Sequence, residues 1–244
     1  MRFCLKYIRQ LKHSLQWNTT LRFLTETFMM IAMCVFINLT DLEWTDFGSI
    51  TSSLFCLFFM TLVLGLPLFM GWYMYRNYET LSSREKRERI GSLYEELDLS
   101  KSKWVIAVPI NFMIRRIMTC ITIVYVETPV YQIFVLDFTV LFVVILHGQI
   151  LPFSTKSHHR IDVFNEVCVL VIMYHMIVYT DFVTNAHRKF EMGWSMITIT
   201  LINVVVNIGF LLYMQVKDTI ALYQRKKREK EIRQKNKERM SVAF

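Results

Sequence analysis

The sequence predicts an all-α fold: a polytopic bundle of about six transmembrane helices followed by a basic helical tail. Three observations predict it. Long apolar runs recur at Phe23–Leu39, Phe47–Tyr73, Val105–Val126, Val130–Leu151, Val163–Val183 and Met192–Met214, each meeting or approaching the ~17–25 residues a helix needs to cross ~30 Å of hydrocarbon. The runs are apolar around most of their circumference, where soluble helices of that length would alternate faces. And although 54% of the 244 residues are hydrophobic, 20% are charged, so the charges must be segregated from the spans.

Charge sets the expected topology. Lys and Arg number five in Met1–Arg22, seven in Arg76–Lys103, two in Pro152–Asp162 and ten from Lys217 onward, against Arg188 and Lys189 alone on the opposite side. That bias places both termini in the cytoplasm and makes the chain an integral, multi-pass membrane protein. Trp44, Trp72, Tyr73, Trp104, Tyr125, Tyr131 and Trp194 fall near the span ends, where amphipathic rings favour the headgroup region. The domain reading is a basic cytoplasmic segment over 1–22, a transmembrane domain over 23–214 and a cytoplasmic tail over 215–244. Within the transmembrane domain, the charged connector 76–103 is expected to be a solvated helix, with Gly91 as a break. Met1–Arg22 repeats apolar residues at roughly helical spacing, as an interfacial helix would.

Catalytic chemistry finds no purchase. The chain has no HExxH pattern, no Gly-rich phosphate loop among its seven glycines and no nucleophile–base pair, so an enzyme is not expected. No cofactor is implied. Four of the five cysteines lie inside apolar runs without CxxC spacing, and His158-His159 reads as a solvated pair, so no metal site is expected.

Polar residues at bilayer depth carry the functional expectations, because each charge there costs ~2.5–3.5 kcal/mol or more. Arg115-Arg116 interrupts the third span; Glu26, Asp137 and Glu166 are the carboxylates able to meet it. One expected cluster, at the inner leaflet, comprises Arg22, Glu26, Arg115, Arg116, Asn165 and Glu166. A second set, His175, Asp181, Asn203 and Asn207, supplies candidate pore linings; Asn203 and Asn207 are four apart and share a helix face. Helix-to-helix hydrogen bonding is the alternative role for His175, Asn203 and Asn207. In the tail, Arg225, Lys226, Lys227, Arg228 and Lys230 follow the last span, and each is worth about 1 kcal/mol against an anionic leaflet. Anionic lipid is thus the expected partner of the tail. Nucleic acid is not, since no aromatic residues interleave these charges. Any pore would need several copies around an axis, so a homo-oligomer is expected if the protein conducts.

Several local patterns add up to a resemblance. They are Leu15-Gln16-Trp17-Asn18 with Leu21-Arg22 and Glu26, Ser92-Leu93-Tyr94, Met113-Ile114-Arg115-Arg116, Tyr131-Gln132, and Leu151-Pro152-Phe153. Further along come Val163-Phe164-Asn165-Glu166, Tyr174-His175, Thr180-Asp181-Phe182 and Gly193-Trp194-Ser195 with Asn203 and Asn207. Together they resemble the C-terminal multi-span region of large ciliate-type protist membrane proteins, described as similar to transient receptor potential (TRP) channels. The resemblance implies a cation-conducting channel or the membrane module of a receptor-like protein. It also implies a cysteine-rich extracellular part ahead of the spans, which these residues do not contain, so the chain is expected to be a fragment or a short paralogue. The alternative is a non-conducting anchor or signalling module acting through its basic tail.

Overall fold

The computed structural model describes residues 2–83, 86–87, 90–94 and 97–242, with side chains described within 19–229 and at Glu231 and Ile232. Six long helices are present among the described residues: α1 (Arg2–Thr40), α2 (Phe47–Arg76), α3 (Ala107–Tyr125), α4 (Pro129–Ile150), α5 (Lys156–Ile177) and α6 (Ala186–Val242). No strand accompanies them among the described residues; Leu97 and Phe153 form one isolated bridge. The chain divides into two units, one up to Met192 and one from Gly193, each taken by itself below.

In the first unit, α3 is the central member. It packs on α1, α2 and α4, and α4 packs on α5. The buried residues follow helical periodicity: Phe28, Ala32, Val35 and Phe36 on α1 meet Cys56, Val63 and Met70 on α2 and Met113, Ile117 and Cys120 on α3. Ala32 and Cys120 are both fully buried, and small residues let helices approach closely where the surrounding lipid is as apolar as the side chains. Cys56 Sγ lies 3.4 Å from the Val35 carbonyl oxygen and the Tyr125 hydroxyl donates to the Phe36 carbonyl at 3.2 Å. Around this core the outward residues are large and apolar, among them Phe47, Leu54, Phe55, Leu68, Phe69, Phe138 and Phe142. Lipid is the solvent that suits such a surface.

Among the described residues, five helices are long and apolar enough to cross a bilayer: Thr19–Thr40, Phe47–Arg76, Lys103–Tyr125, Pro129–Ile150 and Ala186–Glu229. The protein is therefore an all-α polytopic bundle. The expected fifth span, Val163–Val183, is displaced. Its helix starts at Lys156 and stops at Ile177, and its polar first half keeps it out of the apolar set. A five-residue link, 151–155, joins α4 to α5. Both helices have 22 residues, so they form an αα-hairpin with matched ends. Thr155 caps α5 by accepting from the His158 N–H.

Three further expectations change. The basic segment 2–22 and the first span are one continuous helix; the side chains up to Asn18, including Trp17, lie outside the described residues. The gap between the fifth and sixth apolar runs, 184–191, is shorter than expected, because α6 begins at Ala186, where Asn185 Oδ1 accepts the His187 N–H at 2.9 Å. Among its described residues the connector is only in part the solvated helix expected: Lys86, Arg87 and Ile90 are helical, but other parts fold inward. Tyr78–Leu81 forms a single helical turn, Gly91–Leu93 a 3-10 turn, and Leu81 and Tyr94 are buried with Met74 and Ile106. Tyr94 donates to the Leu81 carbonyl at 2.9 Å and Tyr78 to that of Leu99. Arg84, Glu85, Glu88 and Arg89 lie outside the described residues.

The connector is also pinned to the α4–α5 link. The Asp98 N–H donates to the Pro152 carbonyl at 2.8 Å, and Lys101 Nζ donates to the carbonyls of Leu151 and Phe153 at 3.0 and 2.6 Å. Leu151 ends α4 in the left-handed region, φ 49°, a conformation that favours glycine. Leu151 is also about half exposed, so its side chain contributes little burial. Leu151→Gly is expected to stabilise the folded chain by about 1 kcal/mol, read as a higher melting temperature in detergent; a lower one would show that the leucine side chain anchors the link.

The second unit is the α6 helix from Gly193. Most of its apolar side chains between Ile197 and Val216, Leu201, Val205, Leu211 and Leu212 among them, are exposed.

Candidate functional site

The first unit encloses a cavity of about 420 Å³. Its walls come from α1, α3, α4, α5 and the connector, and the polar groups facing it are Arg22, Ser92, Asn111, Arg115, His147, Asp162 and Glu166, with Tyr94 and Phe153 at its connector end. The connector and the α4–α5 link line that end, and the cavity reaches from the basic end of the bundle into its depth.

At the deep end stands an ion pair. Arg115 Nη1 donates to both oxygens of Glu166 at 2.7 Å, with side-chain exposures of 25% and 16%. Arg115 is eight residues past Ala107 and Glu166 ten past Lys156, so both lie about 12–15 Å along their helices. A guanidinium paired with a carboxylate is the usual way to keep such charges in a bundle, and the polar cavity beside them softens the desolvation cost.

Arg116 points another way. A one-residue step turns the side chain by about 100° around the helix, and Arg116 donates to the Thr25 carbonyl of α1 at 2.5 Å while its guanidinium lies 4.1 Å from the Phe112 ring centroid. The two arginines therefore tie α3 to α5 and to α1. Nearer the basic end, His147 Nδ1 lies 2.5 Å from Asp162 Oδ2. Asp162 and Glu166 are four apart on α5, one turn of the same face, so one side of this helix carries both carboxylates toward the cavity.

The expected inner cluster is thus partly assembled. Arg115, Arg116 and Glu166 take part, and Arg22 lines the cavity. Glu26 is exposed, with no hydrogen bond or ion pair among the described residues, and acts on Arg116 only through space. Asn165 is half-buried beside Glu166. Sequence reasoning missed His147, Asp162, Asn111 and Ser92. A signal existed for the first two: Asp162 precedes Glu166 by one turn, and His147 continues the buried face of α4 set by Ile133, Val140 and Val143.

The pore candidates fall in both units. In the first unit, His175 donates from Nδ1 to the Val171 carbonyl of its own helix at 2.7 Å, and Asp181 is exposed in the turn after α5. In the second unit, Asn207 Nδ2 donates to the Asn203 carbonyl at 2.8 Å and lies 3.3 Å from Asn203 Oδ1. Of the tail residues, Arg225 pairs with Glu229 at 3.3 Å and Lys226, Lys227 and Arg228 are exposed; the Lys230 side chain lies outside the described residues. His158-His159 is not the solvated pair expected. His159 turns inward beside Phe153, and its Nδ1 is buried without a hydrogen-bond partner.

Electrostatics at the connector end follow from burial. Burial holds the His159 imidazole below its ordinary value, with Asp162 opposing and the His147 and Lys101 charges adding. Burial raises the Tyr94 phenol, against the pull of Arg87. Hydrogen bonds from the Ser100 hydroxyl and backbone lower the exposed Asp98 carboxyl. No family model matches the chain, and neither a curated protein nor a solved structure matches it.

Two outcomes are expected. Glu166→Gln or Arg115→Met leaves its partner's charge buried and alone, costing about 3–5 kcal/mol by thermal melting in detergent, whereas the exchanged double variant, Arg115→Glu with Glu166→Arg, recovers much of that loss. Because the unfolded chain protonates His159 more readily than the folded one, the linkage makes stability fall as pH drops through the ordinary imidazole range. His159→Gln flattens that dependence; an unchanged slope in the variant would assign it to another group.

Proposed function

We propose that this chain is the membrane module of a receptor-like protein, non-conducting in itself, which admits a polar, charge-bearing ligand from the cytoplasm to the cavity between α1, α3, α4 and α5. One observation carries the reading: the bundle's interior charges close on each other, Arg115 on Glu166 and His147 on Asp162, around a pocket that stops at the deeper pair. A conduit would present such groups along an open path. A binding module holds both signs ready beside a cavity, so that a ligand carrying charge can exchange partners with them without any of them being left alone. Both termini and the connector are cytoplasmic in this reading, on the strength of twenty-four basic residues against two. The general plan is TRP-like. The tail follows the last span and meets anionic headgroups, each basic residue near the surface adding about 1 kcal/mol.

A second reading, cation conduction by an oligomer, is favoured by Asn203 and Asn207 sharing one face of α6. Several copies around an axis could turn that face inward.

Reconstituted vesicles decide between the two. The expected cation flux matches that of empty vesicles at either sign of membrane potential, while Ser92→Cys and Asn111→Cys each react with a membrane-impermeant maleimide from the connector side alone. The parent, in which Cys34 is exposed and Cys56, Cys120 and Cys168 are buried, gives the background. Flux that disappears in Asn203→Leu and Asn207→Leu would replace the first reading with the second.

A further inference from the structure

Asp137 sits at bilayer depth without a partner. It is 7% exposed, and neither of its carboxyl oxygens has a hydrogen-bond partner among the described residues. As the ninth residue of α4 it lies about 12 Å along the axis from Pro129 and about 20 Å from Ile150. Ile133 and Val140 flank it on the buried stripe one turn either side. An ionised carboxylate there is costly unless something compensates it.

Three things could compensate: a cation from the chain, a metal ion or a proton. The chain's cations in this part of the bundle are engaged elsewhere, Arg115 with both oxygens of Glu166 and Arg116 with the Thr25 carbonyl and the Phe112 ring. The two helices packed against α4 bring Cys120 on α3 and Glu166, Cys168 and His175 on α5, and α4 itself carries His147; none hydrogen-bonds Asp137. No group of three or more His, Cys, Asp or Glu among the described residues could hold a metal ion. A cation on another chain would have to reach a side chain already covered on nearly every side. The proton is what remains.

We infer that Asp137 is a proton-binding site, held as a neutral carboxylic acid inside the bundle. The inference is independent of whether the cavity takes a ligand. A neutral acid in an apolar setting has a characteristic reactivity, because it adds to apolar carbodiimides. The acid proton passes to one carbodiimide nitrogen and the carboxyl oxygen bonds to the central carbon, giving an O-acylisourea. The acyl group then shifts from that oxygen to nitrogen as an N-acylurea, and nothing is released. Glu166, both of whose oxygens accept from Arg115, offers no free carboxyl oxygen to the reagent.

The test uses the full chain in lipid vesicles near neutral pH. Infrared spectroscopy is expected to show the C=O stretch of a protonated carboxyl, distinct from the amide and carboxylate bands, and Asp137→Asn loses it. Treatment of the parent with dicyclohexylcarbodiimide, followed by peptide mass spectrometry, is expected to place the adduct on Asp137, with Glu166 unmodified. A parent without the band, a band that persists in Asp137→Asn, or an adduct on Glu166 with Asp137 untouched would each overturn the assignment. Should Asp137→Asn not fold, labelling of the parent decides alone: an adduct on Asp137 supports the site and its absence removes it.

Discussion

The first unit is organised around the cost of holding charge where lipid would otherwise be. Arg115 and Arg116 are adjacent, so one helix brings two guanidiniums into the interior facing different neighbours. Each must find an acceptor on the helix it faces, and each does: Glu166 on α5 and the Thr25 carbonyl on α1. The apolar packing of α1, α2 and α3 sets how close these helices come. It does little to choose among rotations about their axes, since every face is apolar and lipid competes equally for each. The polar contacts select the rotation. That division of labour explains why α3 is central although it is the shortest of the six long helices among the described residues.

The cavity follows from the same constraint. A bidentate pair fully enclosed in hydrocarbon would bear the full desolvation of both ions. Here Arg115 and Glu166 keep partial exposure toward a polar space, and His147, Asp162 and Asn111 line the same space nearer the connector. The connector completes it. Tyr94 and Leu97 form its outer wall only because Lys101 and the Asp98 N–H hold the connector to the carbonyls of the α4–α5 link. A connector that reads as charged and solvated is thus a cavity wall with a buried tyrosine and leucine at its base.

Much of the fold was legible because hydrocarbon imposes a coarse and strict rule: long apolar helices, backbone satisfied internally, cationic flanks. Three of the six expected spans, the second, third and fourth, match helices α2, α3 and α4 to within a few residues at both ends. Arg115, Arg116 and Glu166 stood out for the same reason, as charges in the wrong solvent. What stayed hidden depended on tertiary pairing. His147 and Asp162 sit near span ends, where a titratable residue needs no special explanation, and only the α4–α5 hairpin brings them together. Leu81 and Tyr94 were masked by the charges around them, as charge density along a segment says nothing about the few side chains that turn inward. Polarity within a span marked His175 and Asn207, and each donates to a carbonyl one turn back on its own helix.

The helix that fails the apolar criterion is the informative one. α5 matches α4 in length and packs along it, yet Lys156, His159, Asp162 and Glu166 lower its hydropathy below that of its neighbours. Two of these residues, Asp162 and Glu166, face the cavity and bond across it to α4 and α3. Removing them would make α5 an unremarkable span and erase the site. Hydropathy therefore ranks these helices by how little they carry, and the segment that ranks worst among the long helices holds both carboxylates on which the cavity's electrostatics depend. The same logic singles out Asp137, which α4 tolerates only because the rest of that helix is apolar enough to hold it in place.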